Sequence, residues 1–500
     1  MNTHMRQFLL FLGVGSLAFS LACGGGGNGG GFGGGGGGGN NGFSNSSLNG
    51  QYAYQLSGFD LQTQSSIPFR EVGVFTADGN GHITSGTDDF SEGSSPSSNN
   101  FTGTYSVSND GTASATLNFS SGGSATFALA LANSSKIEIV EADNTGLVAS
   151  GIALKQDTTA FSTVPSGTYV FRKHEIDASS LGSTSEVGRF TISNGTVAGN
   201  VDTNTLAALG QSTITGTFNF PSTANGRGTG TFTDNNNVTT TFLYYIVDAS
   251  HLFLFTTDTG VIGTGQAEKQ SGTFSNVSLN GGYAFAGVGD TNSNFIGFNI
   301  AGRFTADGAG NISAGNLDQV IDGIASNPGS PVTFTGTYMV APSGRADVTL
   351  NTSAGNLHQI FWMVSPTRAF FLNDSATDVS DGSLSAQSGT FSSATLNGLY
   401  AFNMTGIDNN GSGNTNDFVG TLNWNGTSSV TMRALINVTG TINPPTNFSG
   451  TYTVSSNGRV VGSFNNISNN IVFYMISSTD AYILENDTNI EVYGNMTKQQ

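Results

Sequence analysis

Five histidines, one cysteine and a sparse set of carboxylates are all that this 500-residue chain offers for acid–base, nucleophilic or metal chemistry. His4, His82, His174, His251 and His358 stand at no metal-ligand spacing from one another, and each fits a loop or strand-surface place. No Gly-x-Ser-x-Gly elbow and no His-Glu-x-x-His pair occurs. Asp290-Thr291-Asn292-Ser293-Asn294 supplies the first three positions of a calcium loop. Phe295 replaces the required glycine, however, and Ala301 stands where a bidentate glutamate belongs. A looser acidic run lies between Asp408 and Asp417, and both read as solvated Asn/Gly turns. Glu141 and Asp143 correspond to Glu485 and Asp487, and carboxylates that partly recur read as structural. Paired carboxylates for glycoside hydrolysis stay open, because their separation in space is not written in sequence. Trp424, one of two tryptophans, stands at a hairpin shoulder where Ala77 and Ala306 stand elsewhere. Exposed there, it would stack on a sugar or an apolar ligand; turned inward, it would be core. The expectation is no catalytic set, no metal and no cofactor, with Trp424 the single ligand-binding candidate.

The elements that would position such residues come in four copies. Tyr52, Tyr169, Tyr283 and Tyr400 each sit in a Gly-x-Tyr opening, 117, 114 and 117 residues apart. A period this long means tandem domains, since solenoid units run to roughly 20–50 residues. Phe101-Thr102-Gly103-Thr104-Tyr105 recurs in all four, and a Gly turn follows at Gly111, Gly226, Gly344 and Gly458. Three copies close on Lys-Gln, at Lys155, Lys269 and Lys498, and the third on Ala386-Gln387. Domains at 43–156, 157–270, 271–387 and 388–500 follow, joined by connectors so short that neighbours should touch.

Each unit reads as all-β. Phe101, Gly103 and Tyr105 alternate with Thr102 and Thr104, the period of a half-buried strand. Asp-Gly and Asn-Gly pairs between such runs supply the positive φ of tight hairpins. In the first unit about eight strands are predicted, near 50–59, 69–77, 82–89, 101–107, 112–119, 124–131, 136–141 and 146–154. Short turns between consecutive strands give an antiparallel meander, and eight strands close into a small up-and-down barrel. A two-sheet sandwich is the alternative. The Gly-x-Tyr opening and the terminal basic residue resemble the calycin superfamily, whose lipocalins carry Gly-x-Trp on the first strand and an Arg near the last. That resemblance implies pairs of Tyr52 with Lys155, Tyr169 with Lys269 and Tyr400 with Lys498; Tyr283 has only Ala386 opposite it.

Residues 1–22 form a secretion signal, with Arg6 in a short basic region and an apolar run over 8–22 that is too short to span a membrane. Cys23 is the sole cysteine, so no intrachain disulfide forms. Its place resembles the lipobox of bacterial lipoproteins, which implies acylation of the thiol, although Ser20 stands where that pattern has Leu. Plain cleavage after Ala22 is the alternative. Residues 24–42 are almost all Gly and Asn, with no Gly-Lys-Ser/Thr and no strand–helix context for phosphate binding. They read as a flexible linker with an r.m.s. span of roughly 25 Å. Bacterial lipoproteins with a glycine-rich stretch after the signal cysteine are similar, which implies location and not activity.

The formal charge of −18 excludes nucleic acid as a partner. The expectation is a non-enzymatic cell-surface protein, exported and held to the membrane by its N-terminal lipid. It would act as a structural, adhesive or binding module toward a glycan or protein. A carrier holding a small apolar ligand or glycan inside the barrels is the alternative, and a carbohydrate-active enzyme the third reading. The volume left inside each unit discriminates among these.

The sixth strand is apolar on both faces at 242–247, 360–364 and 471–476, and in the first unit its second face is only Ala128, Ala130 and Ala132. A strand of a closed barrel needs one apolar face, so the second must be covered by another unit. Tyr244 or Tyr245, Trp362 and Tyr474 are therefore expected at contacts between units. Small-angle scattering on residues 43–500 checks this. A compact array gives a radius of gyration near the roughly 23 Å of a globular chain of that length, and beads on a string give a far larger one.

Overall fold

The computed structural model describes residues 42–500, apart from 62–65, 94, 206–208, 292–295, 322, 326–329, 376–377, 409–413, 466, 468–469 and 487–489. Cys23, the glycine-rich stretch and most of both calcium-like loops lie outside the described residues.

The chain is four antiparallel meander barrels in tandem. Barrel 1 runs through Asn49–Asp60, Ile67–Asp78, His82–Glu92, Ser95–Val107, Thr112–Phe119, Ser124–Leu131, Lys136–Glu141 and Leu147–Lys155. The last of these pairs with the first and closes the sheet. Closure excludes the sandwich alternative. Barrels 2 and 4 repeat this scheme. Barrel 3 closes by the same first-to-last and second-to-third pairings, and carries an extra two-residue strand, Ile324–Ala325, hairpinned on its third. Among the described residues the only helical pieces are 3-10 turns before each first strand.

Alternation decides which side chains enter each barrel. Phe101, Gly103 and Tyr105 face the core of barrel 1, and the threonines between them face solvent. The four opening tyrosines are buried and close the barrel floors. Tyr52, Tyr169, Tyr283 and Tyr400 donate their hydroxyls to the carbonyls of Ser134, Ala249, Pro366 and Ser478 at 2.8, 2.9, 2.8 and 2.5 Å. Tyr52, Tyr169 and Tyr400 stand opposite Lys155, Lys269 and Lys498 in register. Lys269 and Lys498 lie over the rings at 5.9 and 5.8 Å. The interiors are packed with aliphatic and aromatic side chains, and barrel 1 retains an apolar void of only about 30 Å3.

The barrels form a closed ring. Each turns the outer face of its sixth and seventh strands onto the first and second strands of the barrel before it. Tyr245, Phe253 and Phe255 of barrel 2 pack on Ala53, Val72 and Val74 of barrel 1. Trp362 and Phe370 of barrel 3 pack on Val170 and Val187 of barrel 2. Tyr474 and Tyr482 of barrel 4 pack on Ala284 and Ala301 of barrel 3. At the seam, Ala128, Ala130 and Val140 of barrel 1 meet Ala401, Val419 and Leu435 of barrel 4.

One glutamine clasps each contact. Gln156 Nε2 donates to Asn225 O and Ile246 O, Gln270 to Ser343 O and Met363 O, and Gln387 to Asn457 O and Met475 O. At the seam Gln499 does the same to Asp110 O and Leu131 O, both at 2.9 Å. The glycine of each receiving turn is needed there. Gly111, Gly344 and Gly458 have φ of +80°, +89° and +88°, and a Cβ on any of them would lie 2.3 to 2.7 Å from the incoming glutamine nitrogen.

Three contacts also share an ion pair whose carboxylate is buried. Arg227, Arg345 and Arg459 hold Asp89, Asp202 and Asp318 of the preceding barrel through two guanidinium nitrogens. The same carboxylates accept from Tyr245 OH, Trp362 Nε1 and Tyr474 OH. At the seam the pair is reversed. Register puts Thr112, Ala130 and Leu435 in those three places, and Arg433 of barrel 4 reaches Asp110 of barrel 1 at 2.7 Å.

Asp318 and Arg459 are 0% and 8% exposed at their side chains, against 15% and 19% for Asp110 and Arg433. Removing one partner of a buried pair leaves the other desolvated. Arg459→Ala is thus expected to weaken the barrel 3–4 contact by about 3–5 kcal/mol. Arg433→Ala should weaken the seam by about 1 kcal/mol or less. Amide exchange at 471–475 and 128–132 reads the two contacts separately, and equal effects would contradict the assignment.

Candidate functional site

Four first strands meet at the centre of the ring. Their outward residues form layers set by register from the opening tyrosines: Gln55, Arg172, Ala286 and Asn403; then Ser57, His174, Val288 and Thr405; then Phe59, Ile176, Asp290 and Ile407. The second strands add Arg70, Ser185, Asn299 and Asp417, each opposite the middle layer. The last strands add Ser150, Thr264, Asp381 and Tyr493. Floor tyrosines and clasp glutamines recur in every unit. The axial positions do not: apart from the isoleucines Ile176 and Ile407, no residue type repeats within a set, and charged, amide, hydroxyl and apolar side chains are mixed around the ring. These strands enclose a cavity of about 210 Å3 reached by all four barrels.

Charge is concentrated on its wall between barrels 2 and 3. Arg172 Nη1 lies 3.0 Å from Asp381 Oδ1, and its guanidinium sits over the Phe370 ring at 5.7 Å. Asp381 Oδ2 accepts from Ser185 Oγ at 2.9 Å and faces His174 Nδ1 at 3.3 Å. The Arg172 and His174 contacts hold the Asp381 carboxyl below its ordinary range against the opposing effect of burial. His174 Nε2 lies 3.8 Å from Asp290, which also accepts from Ser183 Oγ. Ser185, His174 and Asp381 are not a nucleophilic triad. Serine and carboxylate crowd the same ring nitrogen, and the buried serine hydroxyl is donated to the carboxylate. The arrangement positions charge and does not activate a nucleophile.

Across the axis the charges are lone. Arg70 is 9% exposed, and its Nη1 donates only to the carbonyls of Phe69 and Gly58, at 2.8 and 3.3 Å. Asp417, its counterpart in barrel 4, is 1% exposed with neither oxygen hydrogen-bonded, and burial pushes its carboxyl up to about 7.

Of the two readings of Trp424, the structure shows the inward one. It is 1% exposed and packs edge-on to Tyr452 and Phe473, at 4.8 and 5.2 Å between centroids. The position shares the inward parity of Ala77 and Ala306, and the larger ring fills barrel 4 instead of facing solvent. His174 is likewise not a plain strand-surface residue, since carboxylates of another barrel face both ring nitrogens. His251 is buried, which lowers its pKa. Glu141 is sealed at the seam, where Asn437 bonds it and burial pushes its carboxyl up to about 11.

Barrel 1 holds two pairs of acids: Glu92 with Asp60, whose side chains share a hydrogen bond that raises Glu92 to about 7, and, deeper, Glu71 with Asp88. Glu71 and Asp88 are both raised, by burial first, with Asp88 adding to the rise of Glu71 and Asp89 to that of Asp88. Tyr54 donates to Glu71 at 2.5 Å, and the 30 Å3 void beside Tyr54 is too small for a sugar ring. Among the described residues no group of three or more His, Asp or Glu side chains is placed to hold a metal ion. No described helix is long and apolar enough to cross a membrane.

No protein-family model matches the chain, and no curated protein does. Among solved structures it is similar to isotype 1 transferrin binding protein B from serogroup B Neisseria meningitidis. The identity is 9%, the cover 72% of this chain and 83% of that one, and the TM-score 0.19. It is also similar to kievitone hydratase from Nectria haematococca, at 10% identity, 69% and 95% cover and a TM-score of 0.16. Superpositions this loose bear on neither fold nor activity.

Raised carboxyls give the stability a sign. Asp417, Glu71 and Asp88 bind protons more tightly folded than unfolded, so their contribution is full below about pH 4 and is lost as pH rises through their folded values. Asp78, Asp177 and Asp307 are held near 2, chiefly by hydrogen bonds in their turns, and their contribution is lost below about pH 4. The melting temperature should therefore peak near pH 5 and fall toward pH 8. Asp417→Asn should flatten that fall, and a curve that rises from pH 5 to 8 would refute the assignment.

Proposed function

We propose that this protein is a non-enzymatic binding module of the cell surface, exported and tethered through an acylated Cys23, with residues 24–42 as its spacer and the ring axis as its ligand site. One observation carries the reading. Residues that build floors and clasps repeat around the ring, whereas those lining the central cavity, Ile176 and Ile407 apart, change type from barrel to barrel. A scaffold needs only the repeated set; a single asymmetric ligand needs the other. Packed interiors count against the alternative of a carrier with its cargo inside the barrels. The fold positions the site economically, because one strand from each barrel contributes to it and none has to leave its sheet. The four-domain organisation at 43–156, 157–270, 271–387 and 388–500 belongs to the same proposal.

Two measurements test it. Cys23→Ser should move the protein from the membrane fraction to the soluble one, with the mature N-terminus losing its acyl mass. Unchanged partitioning removes the anchor. For the site, a low-molecular-weight extract of the growth medium is added to the mature protein and amide exchange is followed. Slowing confined to 55–59, 172–176, 288–290 and 405–407 is expected. No slowing there, or slowing inside the barrels, overturns the axial site.

A further inference from the structure

The axial cavity contains a cation without a counter-ion. No described carboxylate comes within ion-pair distance of Arg70, and its only hydrogen bonds are the two from Nη1 to backbone carbonyls. Arg172, by contrast, is matched by Asp381. A guanidinium this far out of water loses hydration that Asp290 and Asp381, acting on it through space without touching it, restore only in part. Nε and Nη2 of Arg70 remain free to act as the planar fork that fits a carboxylate. Tyr493 lines the same cavity, and burial keeps its phenol protonated as a further donor.

The rest of the wall limits what the anion can be. Asp290, Asp381 and Glu491 also line the cavity, so a second negative charge on the ligand would be repelled. Asp290 accepts hydrogen bonds, while Asn299 and Gln55 both donate and accept, a set suited to hydroxyl groups. A volume of about 210 Å3 gives room for a six-carbon acid. Resting on the axis as the ligand site, we propose that the cavity binds a small hydroxylated monocarboxylate, a sugar acid or hydroxy acid. Its carboxylate lies on the free N–H groups of Arg70 and on Tyr493, and its hydroxyls on Asp290, Asn299 and Gln55.

The test is calorimetric titration of the purified mature chain with glucuronate, with glucose and inorganic phosphate as comparators. Glucuronate should bind at least about 10-fold more tightly than either. Arg70→Gln should weaken it by roughly 10- to 100-fold. Arg70→Lys should restore part of the loss, since an ammonium keeps the charge and forfeits the fork. Asn299→Ala, which leaves the charge untouched, should weaken glucuronate and gluconate alike, and it serves if the Arg70 variants fail to fold. Phosphate binding as tightly as glucuronate, glucose binding equally well, or Arg70→Gln binding like the parent overturns the proposal. Failure of all three probes overturns it as well. Axial protection by the medium extract would in that case leave the ligand site standing and reject only this class of ligand.

Discussion

The outer face of the sixth and seventh strands has to be covered, and the ring follows from that need. A closed barrel satisfies its own backbone hydrogen bonds and fills its own interior, so nothing in a single unit calls for a neighbour. Tyr245, Trp362 and Tyr474 change this, because they stand on the outside of their barrels and are nearly free of solvent only in the assembled chain. One aromatic side chain buries about 150–250 Å2, roughly 4–6 kcal/mol at about 25 cal/mol per Å2. The ion pair beside it is of smaller net worth, because desolvation offsets most of its Coulomb gain. Apolar cover therefore drives the contact. The Arg–Asp fork and its aromatic donor fix which residue faces which.

Each barrel has one covering face and one covered face, so the contacts are heterologous. Contacts of that kind either close into a ring or run on as a filament. Here the chain closes after four, and the seam differs in chemistry from the other three contacts. Alanines replace aromatics, Leu435 stands where the other barrels have aspartate, and the arginine has moved to the opposite side. Barrel 1 offers no arginine fork to Asp89, Asp202 or Asp318 of a second molecule. Barrel 4 offers no aspartate to Arg227, Arg345 or Arg459. Mispairing between chains would leave a buried charge alone, a far greater loss than the modest seam interaction it would replace.

Much of this was legible in the residues. Alternation at 101–107 and the Gly turns placed the strands of barrel 1 within a few residues, because period two and positive φ are local properties. The doubly apolar sixth strand pointed to Tyr245, Trp362 and Tyr474 as contacts, because one face too many is also visible locally. The glutamines were visible but misread. Gln156, Gln270, Gln387 and Gln499 recur in all four units and looked like end markers, when their invariance reflects a side-chain amide completing the next barrel. For Trp424 the residue type leaves stacking and core both open, and parity with Ala77 and Ala306 is what turns it inward.

The axis was illegible for a different reason. Arg70, His174, Asp290, Asp381 and Tyr493 each lie more than 90 residues from their nearest partner in this set, and none belongs to a motif. They meet only because four strands of equal register converge, so repeat alignment hides them as scatter at unremarkable strand positions. The scatter itself is informative once the ring is known. At the contacts, departures from the repeat are compensated in pairs, as Arg433 and Asp110 show. On the axis they are not: Arg70 has no carboxylate, and Asp417 has no hydrogen bond. Stability alone would replace both with the serine or asparagine that barrels 2 and 3 carry at the same register. Keeping an unpaired guanidinium on the cavity wall, and a buried acid raised to about 7 on the strand behind it, costs folding free energy, and the proposed axial site is the reading that accounts for it.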